Sequence, residues 1–470
     1  MKKLYLLVGS QDLYGEEALR QVAKNGREVG DFLDGALKDL VRVEVLPTVE
    51  NAKICVENCE RANTDKDCVG VILWMHTFSP AKMWIKGLKI LYKPILHLHT
   101  QFNEKLPYNT IDMDFMNLNQ SAHGDRELAF ILARMAIPHE VAAGYYRHER
   151  VCSKIRRFAR VARAIAFCQD LKIACFGNNM RQVAVTDGDR VESQIRYGWE
   201  CNYYPIGDLV RIMNEEVTQE AVDQKMEEYT SKYVMKTHQV EAVREQAKIE
   251  AALDIFLSST GTGAFTDTFQ DLYGLPQLPG ISIQNLMDKG IGFGPEGDYK
   301  TSALSAVLME MAKGEPGATG FIEDYTYDLT QELELASHML EVPPAFAAHK
   351  PEIQVHPLGI GGKADPARLV FDGITGEGIQ VTMSDMGDRF RLICADIELV
   401  KQPKPMPKLP VARIMYRHKP NFAIGTAAWC CAGGGHHSVV STALTREDIA
   451  MFARLTGTEL IVIGEDTKEG

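Results

Sequence analysis

Four short apolar runs near the amino terminus, most of them followed by helical stretches, do most to limit the folds open to this chain. LYLLVG (4–9) reads as a buried strand, and Leu19, Val22, Val29 and Leu33 then recur on one helical face. VRVEVL (41–46) alternates as a strand, CVGVILWMH (68–76) is continuously apolar, and KPILHLHT (93–100) supplies another. Strands of this kind, separated by helices, pair in parallel, with the crossover helices covering the sheet. Open sheets of that type bind ligands beyond the carboxyl ends of their strands. GSQDLYG (9–15), HTFSPAKMW (76–84) and HTQFN (99–103) fall at such ends, so the rim they form is a candidate site.

A chain of 470 residues exceeds one ordinary core and implies roughly two to four domains. A second alternating region opens at KIACFGNNMRQVAVTDGDR (172–190), where a strand runs into a Gly/Asn loop with a helix expected after it. The dinucleotide fingerprint G-x-G-x-x-G is absent there. Residues 217–256 are helix-rich and charged, and Arg147–Arg163 reads as a basic amphipathic helix, solvated and leading between domains. Beyond Gly320, short β-rich runs broken by Gly and Asp turns have the pattern of a meander or barrel. Thr445 and Asp448 are placed to form a capping box before a late helix, IAMFARL. The expected organisation is an α/β domain over 1–170, a second over 171–318 and a β-rich domain over 319–470.

A net charge of -12 argues against nucleic acid and against anionic membranes, both of which favour a basic face. The apolar run after Lys2 and Lys3 stops after about five residues, shorter than a signal-peptide core. No run reaches the length of a membrane helix. The ten cysteines are scattered, and neither Cys55–Cys59 nor Cys430–Cys431 has a zinc or redox spacing. Reduced thiols and a cytoplasmic location are the expectation.

GFGPEGDYKT (292–301) has the glycines of a phosphate cradle, yet Glu296 and Asp298 would repel a phosphate. It also lacks the P-loop spacing, as does GIGGKAD (359–365). Glu296, Glu323, His338 and His437 offer two carboxylates and two imidazoles without a thiolate, a set suited to Mn²⁺, Mg²⁺ or Co²⁺ rather than structural zinc. Taken singly, Glu296 reads as an exposed turn residue and each histidine as a structural one. His436 and His437 stand behind Gly433–Gly435, which let the backbone approach another group closely.

In order along the chain, GSQDLYG, HTFSPAKMW, DMDFMNLNQSAHGDRE, FGNNMRQVAVTDGD, GFGPEGDYKT, FIEDYTYD, SHMLEV, LGIGGKADPARL and AGGGHH closely resemble the L-arabinose isomerases. The resemblance covers nearly the whole sequence. It implies two Rossmann-like parallel-sheet domains followed by a β-barrel-like domain, assembled as a tetramer or hexamer. It also implies an aldose–ketose isomerase of L-arabinose catabolism that interconverts L-arabinose and L-ribulose through an enediolate. Mn²⁺ is the usual metal, with Co²⁺ or Mg²⁺ as substitutes, and many members also convert D-galactose to D-tagatose.

By the same resemblance, the metal ligands fall on Glu296, Glu323, His338 and His437, and the two glutamates form the acid/base pair. His436 approaches the sugar and assists ring opening. Gln11, Leu13, Tyr14, Phe78, Met180, Phe269 and Ile360 line the substrate pocket, while Gln120 and His123 come from an adjacent subunit. Gly292, Gly294 and Pro295 are expected to turn Glu296 toward the metal and leave room for the sugar, with Asp298 in support. Members continue past ELIVI with an aromatic-rich tail, whereas this chain stops at GEDTKEG; the chemistry is expected to survive that difference. Two rivals remain at this point: a sugar-binding receptor built from tandem α/β domains, and a ketol isomerase for another sugar such as L-fucose.

Overall fold

In the computed structural model, residues 1–360 and 362–468 are described, and their contacts divide them into two compact units. The first unit holds residues 1–166 and 451–457. Its strands β1 (Lys3–Gly9), β2 (Arg42–Val45), β3 (Cys68–Met75), β4 (Ile95–His99) and β5 (His139–Ala143) form one parallel sheet in the order β2-β1-β3-β4-β5. Every residue of β3 is buried, which is why its sequence is continuously apolar rather than alternating. β1, β3 and β4 end at Gly9, Met75 and His99, so the three loops marked in the sequence do emerge at the carboxyl ends.

Val22, Val29 and Leu33 are buried along the helix Gly15–Leu37, with Leu19 half-buried beside them. The basic stretch forms the helix Glu149–Asp170, but it is not simply solvated: Ile155, Phe158 and Ala162 are fully buried in the core. Its charges occupy the other side, where Arg156 pairs with Asp39 at 3.0 Å.

The second unit holds residues 167–450 and 458–470. Its first part contains β6 (Lys172–Phe176), β7 (Glu200–Tyr204), β8 (Val234–Met235), β9 (Ala264–Thr266) and β10 (Gly292–Phe293). Four of these make a parallel sheet in the order β10-β9-β6-β7. The chain leaves β6 through a loop at 177–189 and becomes helical at Arg190. The helices Gln219–Lys232 and Val240–Thr260 account for the charged helical region.

The strands that follow are β11 (Thr319–Asp328), β12 (Leu333–Ser337), β13 (Glu352–Val355), β14 (Ala367–Val370), β15 (Gly376–Asp385), β16 (Phe390–Val400), β17 (Ile414–His418), β18 (His437–Ser441) and β19 (Glu459–Ile463). β15, β18, β11, β12, β17 and β16 pair antiparallel in that order, and β15 pairs back with β16. The sheet therefore closes into a six-stranded antiparallel barrel, with β19 added in parallel outside β16. β13, β14 and β8 form a small separate sheet.

Alternation along β11 sends its neighbouring residues to two different cores. Ile322 packs inside the barrel with Ile397 and Ile414, whereas Phe321 joins Phe176, Phe265 and Phe293 of the central sheet. The capping box is present: the Thr445 N–H and hydroxyl both donate to Asp448 Oδ2 at 2.9 Å. No helix among the described residues is long and apolar enough to cross a membrane.

Candidate active site

Barrel register assembles the first half of the site. Glu323 on β11 lies directly opposite His437 on β18 and opposite Ser337 on β12. His338 follows Ser337 at once, so three strands bring Glu323, His338 and His437 to one row. His338 Nε2 stands 3.4 Å from Glu323 Oε2. Phe321 shares the face of Glu323, and its ring meets His338 and His437 edge-on, at centroid distances of 5.4 and 5.6 Å. A register shift between Asp324 and Thr326 interrupts the pairing just past Glu323, a device that re-aims neighbouring side chains.

The loop after β10 brings in the other carboxylate. Glu296 takes φ +62°, a left-handed conformation that costs a non-glycine residue about 1–3 kcal/mol and persists only where its surroundings enforce it. The surroundings do: Met180 N–H donates to Glu296 O at 2.9 Å, and Gly297 N–H donates to Asp267 O at 2.9 Å. Glu296 Oε2 then lies 3.6 Å from His436 Nε2 and 3.9 Å from His437 Nε2. Far from being an exposed turn residue, its side chain is only 14% accessible. Gly292 and Gly294 play a different part from the one expected. A Cβ on Gly292 would meet Ser302 O at 2.3 Å, and one on Gly294 would meet Ser302 N at 2.8 Å. These glycines let the loop lie against its own helix, Tyr299–Ala312; they do not open space for a ligand.

Asp298 explains the second acid. Its Oδ1 accepts Thr301 N–H at 3.1 Å as the cap of that helix, and its Oδ2 lies 3.1 Å from His437 Nδ1. Helix starts attract phosphate, and this one is closed by the chain's own carboxylate. Lys300, fully buried, reaches Asp298 at 3.3 Å and also donates to the carbonyls of Val185 and Asp187. Burial opposes the charge of Asp298, but Lys300 and His437 hold its carboxyl well below the usual range.

His338 has a matching partner that sequence reasoning missed: its Nδ1 bonds the buried carboxylate of Glu341. The three-residue spacing in SHMLEV was the available signal. Burial lowers the His338 pKa, but Glu341 first and then Glu323 outweigh it and raise the value to about 9. Burial and then Glu341 push the Asp267 carboxyl up to about 8. Burial also opposes the charge of Glu296, which His436 and His437 nonetheless keep below its ordinary pKa.

These groups suit a divalent cation. Ligand atoms of Glu296, His436 and His437 lie within 4.8 Å of one another. With Asp298 accepting at Nδ1, His437 Nε2 carries a lone pair, and that buried atom has no hydrogen-bond partner among the described residues. An orphaned imidazole nitrogen facing carboxylates has the chemistry of a metal ligand.

The remaining expected positions fall into two groups. In the second unit, the Phe269 ring stacks toward His338 at 6.1 Å and Met180 braces the Glu296 backbone, while Ile360 is half-buried in the loop between β13 and β14. The glycines before His436 admit neighbours closely: Trp429 Nε1 donates to Gly435 O at 3.1 Å, and a Cβ on Gly434 would fall 2.3 Å from that indole nitrogen.

In the first unit, Gln120 Nε2 lies 3.2 Å from the Tyr14 hydroxyl, and His123 stacks on Phe78 at 4.3 Å. Gln11 precedes the short 3₁₀ turn that ends in Tyr14, and Leu13 is 84% exposed beside it. The helix Ser121–Arg134, which presents His123, is pinned through Asp125, whose carboxylate accepts Met75 N–H at 3.0 Å and meets His99 Nδ1 at 2.9 Å.

Three family descriptions match consecutive parts of the sequence. The L-arabinose isomerase N-terminal domain matches 1–170, the central domain 172–314 and the C-terminal domain 318–459. The chain belongs to the L-arabinose isomerase family.

L-arabinose isomerases of Thermotoga sp. (strain RQ2) and Geobacillus stearothermophilus are each 48% identical over 99% of this chain, covering 94% and 95% of the relative. That of Clostridium beijerinckii is 47% identical over 99% of this chain and 95% of its own length. A sugar-binding protein of a sugar ABC transporter from Bacillus halodurans shares 11% identity with a TM-score of 0.15, over 67% of this chain and 90% of that chain. L-arabinose isomerase membership makes the chain an isomerase and sets aside the receptor reading.

Proposed function

We propose that this chain interconverts L-arabinose and L-ribulose, converts D-galactose to D-tagatose as a second activity, and serves L-arabinose catabolism. The observation that carries the reading is the assembly of Glu296, Glu323, His338 and His437 in a chain 48% identical to a relative named L-arabinose isomerase. We assign Mn²⁺ to these four residues, with Co²⁺ or Mg²⁺ as substitutes. The donor set contains oxygen and imidazole but no thiolate, which disfavours softer metals. When bound, such a cation draws electron density from the sugar's carbonyl and adjacent hydroxyl oxygens and eases loss of the C–H proton.

The protein's own groups do the rest. One of Glu296 and Glu323 takes the proton from C2 of the aldose and returns it to C1, and the other moves the hydroxyl protons across the enediol. His436, on the exposed side of Glu296, assists opening of the sugar ring. Phe321, Phe269 and the buried histidines exclude water from the carbons that exchange protons.

The working enzyme is a homo-oligomer, a tetramer or hexamer, in which the first-unit residues of one copy complete the site of a neighbour. Gln120 touches Tyr14 and His123 touches Phe78, so whichever copy supplies one pair supplies all four. Tyr108, Met113 and Met116 expose apolar surface in the segment leading to Gln120, as an interface would. A cytoplasmic location is supported by the free state of all ten cysteines.

Ketose formation over a panel of aldoses with Mn²⁺ present tests the substrate. L-arabinose is expected to be turned over with the highest kcat/KM and D-galactose more slowly. A clear preference for L-fucose, or no turnover of L-arabinose, overturns the reading.

A further inference from the structure

Cys175 and Cys201 lie on adjacent parallel strands of the central sheet. Register pairs Ile173 with Cys201 and Cys175 with Tyr203, so the two cysteines share a face and stand diagonally. Their sulfurs are 3.3 Å apart. Cys175 is buried on the inner strand β6, whereas Cys201 is partly exposed on β7, the edge strand of its sheet. An edge strand is paired on one side only and can shift with fewer bonds broken.

The surroundings differ from those of an inert buried thiol. The Cys175 contact, followed against the cost of burial by Arg190 and Lys300, holds the Cys201 thiol below its ordinary pKa. Cys175 is held well above it by Cys201 and by burial. The partly exposed Cys201, with Arg190 beside it, stands in front of the buried Cys175, the arrangement of an attacking and a resolving cysteine.

A short path of contacts leads from this pair to Glu296. The Arg190 guanidinium covers the Tyr203 ring at 4.6 Å and donates to Asn179 Oδ1 at 2.6 Å. Asn179 Nδ2 donates to Gly297 O at 3.2 Å and to Thr186 O at 2.6 Å. There is little slack at the end of that path, because a Cβ on Gly297 would fall 2.5 Å from Asn179 Cα.

We propose that Cys175 and Cys201 form a redox-modification site, oxidised by small-molecule disulfides of the glutathione type to an intramolecular disulfide that disturbs the Glu296 loop. In the first step the Cys201 thiolate attacks one sulfur of the oxidant, whose S–S bond breaks and whose other half leaves as a thiolate and takes up a proton. In the second, Cys175 gives up its proton and attacks Cys201 Sγ, expelling the second small thiol, which is protonated in turn. Two cysteine thiols lose two electrons and two protons, and one disulfide becomes two thiols. Bonding closes the 3.3 Å gap to about 2 Å, and β7, an edge strand paired on one side only, yields to that pull. That movement carries Tyr203 away from Arg190 and loosens Asn179 from Gly297. The loss of activity rests on the reading of Glu296 as a catalytic residue; formation of the bond does not.

The full-length enzyme is incubated with oxidised glutathione, digested without reduction and mapped by mass spectrometry, with kcat measured in parallel. A Cys175–Cys201 cross-linked peptide is expected, with kcat falling about tenfold or more and returning with dithiothreitol. Cys201→Ser should keep its kcat in the oxidant, and Cys175→Ser should stop as a glutathione adduct on Cys201. Exposed Cys430 and Cys431 report that the oxidant reacted. Their modification without a Cys175–Cys201 cross-link overturns the site. A complete cross-link with unchanged kcat overturns its link to the Glu296 loop.

Discussion

Nδ1 of His437 lies 3.1 Å from Oδ2 of Asp298, the same carboxylate that caps the helix Tyr299–Ala312. One side chain thereby fixes both the start of that helix and the imidazole tautomer that turns Nε2 toward Glu296. Asp298→Asn keeps a good capping group and leaves Lys300 its two carbonyl partners. It removes the charge opposite Nδ1. Mn²⁺ binding to the metal-stripped variant should weaken by about ten- to a hundredfold, measured by titration. An unchanged affinity means that Asp298 acts only as a cap.

Glu296→Gln and Glu323→Gln each remove a proton carrier while keeping the side chain's shape. Each should lower kcat for L-arabinose by about a hundredfold or more, the usual scale for a lost acid or base. Near-normal turnover in either variant sinks the assignment of that residue.

Stripping divalent metal with a chelator should abolish isomerisation, and Mn²⁺ should restore it. Thermal unfolding gives a second readout, since Mn²⁺ held at His437 Nε2 and its neighbours should raise the midpoint with the logarithm of free Mn²⁺ once that exceeds Kd. A stripped protein that turns over L-arabinose as fast as the loaded one would falsify the four-ligand site.

Subunit sharing has its own test. His123→Ala and Glu296→Gln proteins, each inactive alone, should regain activity when refolded together, because some sites then combine an intact half from each. No regain in oligomers proven to be mixed counts against a site built from two copies.

Glu334 predicts a pH dependence of stability remote from the chemistry. Its carboxyl is buried in the barrel, 2.6 Å from His418 Nε2, and burial raises its pKa to about 7. The folded state therefore holds this proton more tightly than the unfolded chain does. The resulting stability is fully present below the ordinary glutamate value and is lost as pH rises through about 7. At most it amounts to about 3–4 kcal/mol, from a rise from 4.5 to about 7 at about 1.4 kcal/mol per pKa unit. Denaturant melts between pH 4.5 and 8 should show this slope in the parent and a flatter one in Glu334→Gln; parallel profiles would remove the assignment.

Much of the scaffold was legible because burial writes a local pattern. CVGVILWM is continuously apolar because both faces of β3 are covered, and the alternation after Gly320 follows from strands with two different neighbours. The Thr445–Asp448 box was equally visible, since both of its partners lie within one helical turn. Residue types with metal-binding chemistry could be picked out, and the family blocks gave their roles, but nothing local tied Glu296 to His437.

Tertiary structure decided that tie. Closure of the barrel sets Glu323 opposite His437, a pairing fixed by strand register and by no feature of either segment alone. The left-handed turn at Glu296 exists because Met180 and Asp267, distant in sequence, hold its backbone, and the nearby glycines answer to the helix behind them. Asp298 acquires its partner His437 in the same way. The sequence by itself determined which faces had to be buried and which side chains could hold a cation, because those properties belong to residues and their near neighbours. Their distances, tautomers and charge states belong to the fold, because electrostatics and hydrogen bonding depend on which remote groups packing brings within a few ångströms.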